Sequence, residues 1–257
     1  MSTTLAPNLP MLSGDEVIEM LSLVGHADSV ELKATVPADA RVARKLDLDP
    51  LGAQIRQVFF FDTPELALSD AGVVVRARRV QGREHDSVVK SRPVDPATLS
   101  KQLRKSPDFG VEVDAMPGGF VCSASLKSVV ADDAIRKTAF GTRPIRKLFS
   151  KAQRAFYEER APKELALDDL SVMGPILVLK IKWLPDELPN KMVAELWTYP
   201  DGSLILELST KCAPANIIST IDDTRTFLHQ HDVELSAVQA TKTKTALEFF
   251  SHQLLPT

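Results

Sequence analysis

Cysteine is scarce in this chain of 257 residues. The two cysteines, Cys122 and Cys212, lie far apart, and neither belongs to a Cys-x-x-Cys pair. Two such residues do not amount to the disulfide framework of a secreted domain. We therefore expect free thiols in a reducing compartment and a cytoplasmic protein.

Long hydrophobic runs are absent as well. No segment approaches the roughly 20 consecutive apolar residues that span a bilayer. Residues 1–14 contain no Lys or Arg and no sustained apolar run, so they do not have the pattern of a signal peptide. The sequence predicts no membrane partner.

An excess of positive charge is also missing. The chain carries 31 Lys and Arg against 34 Asp and Glu, a formal net charge of −3. Domains that bind nucleic acids usually have a basic surplus, so no nucleic-acid partner is expected. A site for an anion would have to come from a local concentration of basic side chains.

Several motifs that would indicate chemistry are not present. The chain has no Gly-rich phosphate loop, no dinucleotide fingerprint, no His-Glu-x-x-His and no nucleophile elbow. Its five histidines are scattered, and His229 and His231 lie two apart in a predicted helix, where they would not face one ligand. A histidine-based metal site is therefore not indicated.

What the chain does contain is charge alternating with Val or Leu. Residues Val73–Val80 read Val-Val-Val-Arg-Ala-Arg-Arg-Val. In a strand, Arg76 and Arg78 point to the same face about 6.6 Å apart. At that distance they repel each other by about 2 kcal/mol, so water or an anion should offset them. The same alternation recurs at Glu31 and Lys33, at Lys90, at Glu112 and Asp114, and at Glu207.

The element pattern predicts an α+β domain spanning residues 1–257, with a sheet of about eight antiparallel strands that is closed into a barrel. Residues 1–28 form a tail and a short helix, residues 29–212 form the strands with an inserted helix, and residues 213–257 form two helices. Within the middle part, Ser125–Phe140 has helical periodicity, Ile145–Glu159 reads as extended, and Ala166–Leu170 reads as a strand.

Several of these segments together resemble the CYTH domain, whose members are also called triphosphate tunnel metalloenzymes. The family opens with a strand Glu-x-Glu-x-Lys, matched by Ser29-Val-Glu31-Leu-Lys33. It continues with a Phe-Phe-Asp-Thr-Pro segment and a Leu-x-x-x-Gly-x-x-x-Arg-x-Arg run, matched by Phe60–Pro64 and Leu68–Arg78. The later positions that correspond to charged residues of the family are Lys90, Glu112, Asp114, Arg154, Glu195, Glu207, Lys242 and Lys244.

The resemblance implies a tunnel with a polar lumen that binds a small-molecule triphosphate or nucleotide together with Mg²⁺ or Mn²⁺; it is compatible with a homodimer. It assigns catalysis to Glu31 and Lys33. The phosphates would be held by Lys33, Arg76, Arg78, Lys90 and Arg154. The metal ligands would be Glu31, Glu112, Asp114, Glu195 and Glu207.

Three functions stay open on this evidence. The first is metal-dependent hydrolysis of inorganic triphosphate or a short polyphosphate. The second is a class IV type of adenylate cyclase, although no motif identifies an adenine pocket. The third is a non-catalytic polyphosphate- or nucleotide-binding module, because Ser29 replaces the first Glu of the opening motif and Ser209 stands where an acid is typical. The alternative to a role in binding is that the charged strand residues lie on a sheet face exposed to solvent. Lys242 and Lys244 are predicted to be solvated residues of the last helix.

Overall fold

The computed structural model describes residues 20–131, 133–239 and 241–255. In these residues nine strands form one closed barrel, in the order β1-β5-β6-β4-β3-β2-β7-β8-β9, with β9 pairing back to β1. The strands are β1 Ser29–Val36, β2 Gln54–Asp62, β3 Val73–Val80, β4 His85–Ser91, β5 Phe109–Met116, β6 Gly119–Val130, β7 Ser171–Trp183, β8 Met192–Thr198 and β9 Leu204–Cys212.

One pair of neighbouring strands is parallel, so the prediction of an all-antiparallel barrel was wrong in this respect. β1 runs parallel to β5 and antiparallel to β9, and the remaining neighbours are antiparallel. The reason is that nine is an odd number. Strand direction cannot alternate all the way round a closed ring with an odd number of strands, so at least one neighbouring pair must be parallel.

Helices surround the barrel. In the described residues they are α1 Ala40–Lys45, α2 Ala67–Asp70, α3 Lys101–Arg104, α4 Ala134–Ala139, α5 Lys151–Arg160, α6 Ile217–Gln230 and α7 Lys242–Leu254. Residues 20–24 are also helical and belong to the short helix predicted within residues 1–28; residues 1–19 of that segment lie outside the described residues. The two predicted C-terminal helices are confirmed as α6 and α7. None of the described helices is long and apolar enough to cross a membrane.

Three element predictions were wrong. The first part of the predicted helix Ser125–Phe140 is strand as far as Val130, because β6 pairs with both β4 and β5; its helical part is α4. The predicted extended stretch Ile145–Glu159 contains a short 3₁₀ turn and α5. The predicted strand Ala166–Leu170 is a 3₁₀ turn over Leu167–Asp169.

Helix α5 begins at a capping box. The Ser150 hydroxyl accepts a hydrogen bond from the backbone N–H of Gln153 at 3.3 Å, and the Gln153 side chain accepts one from the Ser150 N–H at 2.9 Å. Gln153 also donates to the carbonyls of Ser87 and Leu126, which joins α5 to the outer faces of β4 and β6. The Ser-x-x-Gln spacing was visible in the sequence and indicates a helix start.

Apolar side chains lie on both sides of the barrel wall. The outward faces of β1, β3, β4, β5 and β6 pack beneath α4 and α5, and α6 covers the outward faces of β8 and β9. A third apolar cluster lies on the inward face, where Val58, Phe60 and Trp197 contact Leu247 and Phe250 of α7. The C-terminal helix therefore fills the apolar part of the barrel lumen, and the rest of the lumen is polar.

The turn between β2 and β3 is held by Asp62 and Gly72. The Asp62 carboxylate accepts hydrogen bonds from the backbone N–H groups of Thr63, Leu68 and Ser69 at 2.8–2.9 Å. Gly72 has φ +71°, and a Cβ atom there would lie 2.2 Å from the carbonyl oxygen of Arg92. Only glycine fits this close approach, which aligns β3 and its arginines with β4.

We expect Gly72→Ala to lower the free energy of unfolding by about 2 kcal/mol or more, because backbone strain and a steric clash add together. Gly82→Ala is the matched control, since its φ is +66° and a Cβ there meets nothing within 4 Å. The control should lower the free energy of unfolding by only about 1 kcal/mol, the cost of placing a residue with a Cβ atom in the left-handed conformation. Urea unfolding followed by circular dichroism measures both, and equal losses would contradict the role of the close approach.

Candidate functional site

The barrel brings the predicted site residues together on its inner face, with the exception of Arg154. Along β1, β3, β4 and β5 the neighbours of these residues, Val30, Val75, Val89 and Val113, point outward into the core beneath the helices. Alternation then sends the charged residues inward. The residues on the inner face are Glu31, Lys33, Arg76, Arg78, Lys90, Glu112, Asp114, Glu195 and Glu207.

Three carboxylates, which we call the acid triad, meet where β1 lies beside β5. They belong to Glu31, Glu112 and Asp114, and each offers an oxygen within 4.8 Å of the others. The parallel pairing sets Glu31 against Asp114 and Ser29 against Glu112. Carboxylate oxygens at this spacing are the ligands that Mg²⁺ and Mn²⁺ prefer, so the triad fits a divalent cation.

Two lysines hold Asp114. Its oxygens accept hydrogen bonds from Lys33 Nζ at 2.8 Å and from Lys90 Nζ at 3.0 Å. Burial alone raises the pKa of Asp114, but the Lys90 and Lys33 ammonium groups outweigh burial and hold it well below its usual range. Burial likewise lowers the pKa of Lys33, but Asp114 and Glu31 outweigh it and hold that pKa above its ordinary value. Both members of the pair are therefore charged at neutral pH.

The other triad carboxylates have partners too. Glu31 lies 3.0 Å from Lys33 Nζ and accepts a hydrogen bond from the Ser209 hydroxyl at 3.1 Å. Burial raises the pKa of Glu31, but the Lys33 charge outweighs it and leaves the pKa below its ordinary value. Glu112 lies 2.5 Å from Lys211 Nζ and accepts a hydrogen bond from Ser29 at 3.3 Å. The two serines that stand in acid positions thus hydrogen-bond to the remaining acids.

The two lumen arginines of β3, Arg76 and Arg78, differ in their partners. Arg78 donates two hydrogen bonds to Asp86, at 2.8 and 2.9 Å. In the part of the chain that the structure describes, Arg76 has neither a hydrogen bond nor an ion pair, and its buried Nε has no partner. Burial and the Arg78 charge lower the pKa of Arg76 to about 10, so it stays protonated at neutral pH. An unpartnered guanidinium beside the polar lumen favours an anion.

Glu195 and Glu207 form a second acidic pair, which lies at the start of α7. Lys180 and Lys242 hold Glu195 at 2.6 and 2.5 Å, and Lys242 also lies 2.7 Å from Glu207. Burial raises the pKa of Glu195, but the Lys242 and Lys180 charges hold it well below its usual range. The reading of Lys242 as a solvated residue was wrong, because its side chain is only 14% exposed; Lys244 is 69% exposed, as expected.

Arg154 lies elsewhere. It belongs to α5, on the outside of β4 and β6, and its guanidinium donates to the carbonyl of Phe149 at 2.7 Å. The prediction of an extended segment had placed this residue on a strand. The structure adds polar lumen residues that the sequence reading did not select, namely Arg56, Asp86, Lys180 and Lys211. Their alternation with apolar residues, as in Val178-Leu-Lys180, is the sequence feature that could have indicated them.

Comparison with solved structures identifies the fold. A candidate adenylate cyclase from Bacillus halodurans superposes with a TM-score of 0.57 at 11% identity, over 85% of this chain and 97% of that one. A candidate adenylyl cyclase from Hippeastrum, described as having a dominant triphosphatase activity, superposes with a TM-score of 0.60 at 16% identity, over 88% and 97%. The chain has the triphosphate tunnel fold. No family model and no curated protein matches the sequence.

The tunnel thus combines two kinds of side chain in one closed lumen. Ammonium and guanidinium groups line one part of the wall, and a triad of carboxylates lies within hydrogen-bond distance of three of those ammonium groups. Such a lumen can hold an anion of several charges through the basic groups and a divalent cation through the carboxylates.

We expect Asp114→Asn to lower the free energy of unfolding by about 3 kcal/mol at pH 7, because Lys33 and Lys90 lose the carboxylate between them. The Asp114 pKa is lower in the folded than in the unfolded chain, so its contribution is complete above about pH 4 and is lost as pH falls through the folded pKa. Below about pH 4 the difference in free energy of unfolding between Asp114→Asn and wild type should therefore become smaller.

Urea titrations between pH 7 and pH 3 measure this gap. Asp108→Asn is the control, because Asp108 is exposed on the loop before β5. A gap that is independent of pH would show that Asp114 does not stabilise the fold as a carboxylate.

Proposed function

We propose that this chain hydrolyses the terminal phosphate of inorganic triphosphate, or of a related short polyphosphate, with the help of Mg²⁺ or Mn²⁺. The observation that carries the proposal is Arg76, a half-buried residue whose buried Nε has no partner in the described residues, in the same lumen as the acid triad. A triphosphate supplies the anion that Arg76 lacks, and its bound cation matches the carboxylates.

Phosphate oxygens would be held by Arg76, Arg78, Lys33 and Lys90. Each charge-assisted hydrogen bond contributes about 1.5–3 kcal/mol, so several of them can hold a chain of phosphates in a narrow tunnel. Lys33 stays protonated at neutral pH because Asp114 and Glu31 raise its pKa. It therefore presents a fixed positive charge next to the triad. Arg154 has no part in this arrangement, since it lies on the outer helix α5.

The divalent cation would be held by Glu31, Glu112 and Asp114. When bound, such a cation neutralises charge that develops on the phosphoryl oxygens and lowers the pKa of a coordinated water. Glu31 itself is oriented by Lys33 and Ser209, which approach its two carboxylate oxygens. Its lowered pKa keeps it ionised at neutral pH, as a cation ligand must be.

Two alternatives are distinguished by the reaction product. The relatives in fold are candidate adenylate cyclases, and in a cyclase the ribose hydroxyl would replace water as the nucleophile. A binding module without turnover is motivated by Ser29 and Ser209, whose hydroxyls hydrogen-bond to Glu112 and Glu31 in positions where further acids are typical.

The test is phosphate release from tripolyphosphate and from ATP with Mg²⁺, with Mn²⁺ and with EDTA, together with an assay for cyclic AMP. We expect metal-dependent release from tripolyphosphate. Glu31→Gln should reduce the rate about 100-fold or more without unfolding the protein, because the triad loses a charge. Glu84→Gln, in the exposed β3–β4 loop, is the control. Cyclic AMP without phosphate release would favour the cyclase, and no product from either substrate would favour the binding module.

The two lumen arginines should respond in opposite ways to removal of their charge. We expect Arg76→Met to raise the free energy of unfolding by about 1 kcal/mol, because it removes a half-buried charge that has no partner among the described residues. Arg78→Met should lower it by about 2 kcal/mol, because Asp86 loses a bidentate partner.

Calorimetric titration with tripolyphosphate in EDTA, which prevents turnover, measures the functional side of the same comparison. Arg76→Met should weaken binding about 10-fold or more, the equivalent of one lost charge-assisted hydrogen bond. Unchanged affinity in this variant would remove Arg76 from the anion site.

A further inference from the structure

Glu195 and Glu207 differ from the acid triad in how they are arranged. They are direct cross-strand partners on β8 and β9, and both point into the lumen. Two like charges in this position destabilise a sheet unless a cation lies between them. In a metal-binding tunnel that cation could be a divalent ion, but the structure offers another.

Lys242, the first residue of α7, lies between the two carboxylates. Its Nζ is 2.5 Å from Glu195 and 2.7 Å from Glu207. The same ammonium group lies 5.1 Å from the centre of the Trp197 ring, in a cation–π arrangement. The Tyr199 hydroxyl donates to the Lys242 carbonyl at 3.0 Å. Both ends of this residue are therefore fixed.

Further cations complete the surroundings of Glu195. Lys180 Nζ is 2.6 Å from one of its oxygens, and Arg56 lies 3.9 Å from the same oxygen. The other oxygen accepts from Lys242 and, at 3.3 Å, from the Trp197 indole. Three basic groups thus face two carboxylates. A divalent cation added to this group would meet a net positive charge, whereas the acid triad is balanced by the three ammonium groups of Lys33, Lys90 and Lys211.

We propose that Lys242 takes the place of a divalent cation between Glu195 and Glu207, so that the tunnel holds one such ion, at the acid triad. Glu195 and Glu207 are then not metal ligands, in contrast to what the family resemblance implies. Lys242 belongs to α7, the helix that fills the apolar part of the lumen. The same helix therefore supplies both the apolar packing and the positive charge between the two glutamates. The location of the single ion rests on the proposed function.

The experiment counts Mn²⁺ bound to the full chain, without substrate, from the loss of the free Mn²⁺ signal in electron paramagnetic resonance. Wild type should bind one ion per chain at saturation. Lys242→Met should bind two, because it removes the ammonium group between Glu195 and Glu207 and, with it, the net positive charge of this group. Lys244→Met is the matched control, two residues along the same helix, and should bind one.

Two further variants test the proposal if Lys242→Met does not fold. Glu207→Gln in the wild-type background should leave the count at one, whereas Glu112→Gln should abolish binding or weaken it about 10-fold or more. Two ions on wild type, none on wild type, or one on folded Lys242→Met would each overturn the proposal. Phosphate release is measured separately, so a chain that binds one ion and hydrolyses nothing refutes the proposed activity alone.

Discussion

The structure depends on the compensation of charges inside a closed barrel. Side chains that alternate along nine strands put carboxylates, ammonium groups and guanidinium groups into one lumen, where a low dielectric makes an unpaired charge costly. Each lumen carboxylate of the described residues has a basic partner: Glu31, Asp86, Glu112, Asp114, Glu195 and Glu207. The basic groups outnumber them, and the surplus is found at Arg76. Such an imbalance favours the binding of an anion.

The strand count decides where the carboxylates meet. A ring of nine strands must contain a parallel pair, and in this chain that pair is β1 and β5. The parallel register sets Glu31 beside Asp114, although 83 positions separate them in the chain. Lys33, two residues further along β1, reaches both. The acid triad is thus a consequence of topology, and the lysines around it keep its like charges from repelling one another.

Errors in the sequence reading fall where long-range packing outweighs local pattern. Residues 125–130 have apolar side chains at helical spacing, but their backbone groups form hydrogen bonds with the two neighbouring strands, β4 and β5. Arg154 matches a family position, yet the Ser150–Gln153 capping box starts a helix there and carries the arginine outside the barrel. Lys242 looks like any lysine on an exposed helix. Its burial comes from α7 entering the lumen, which no local feature of residues 242–254 indicates.

By itself the sequence determined the alternation of charged and apolar residues, and with it most of the strands, the shared face of Arg76 and Arg78 and of Glu112 and Asp114, and the resemblance to triphosphate tunnel proteins. The period of two along a strand is a local property, so it can be read without a structure. Only the tertiary structure decided which charges touch among the residues it describes: Arg78 with Asp86, Asp114 with two lysines, Lys242 between two glutamates, and Arg76 with none of them. Those pairings depend on register and closure, which join residues far apart in the chain.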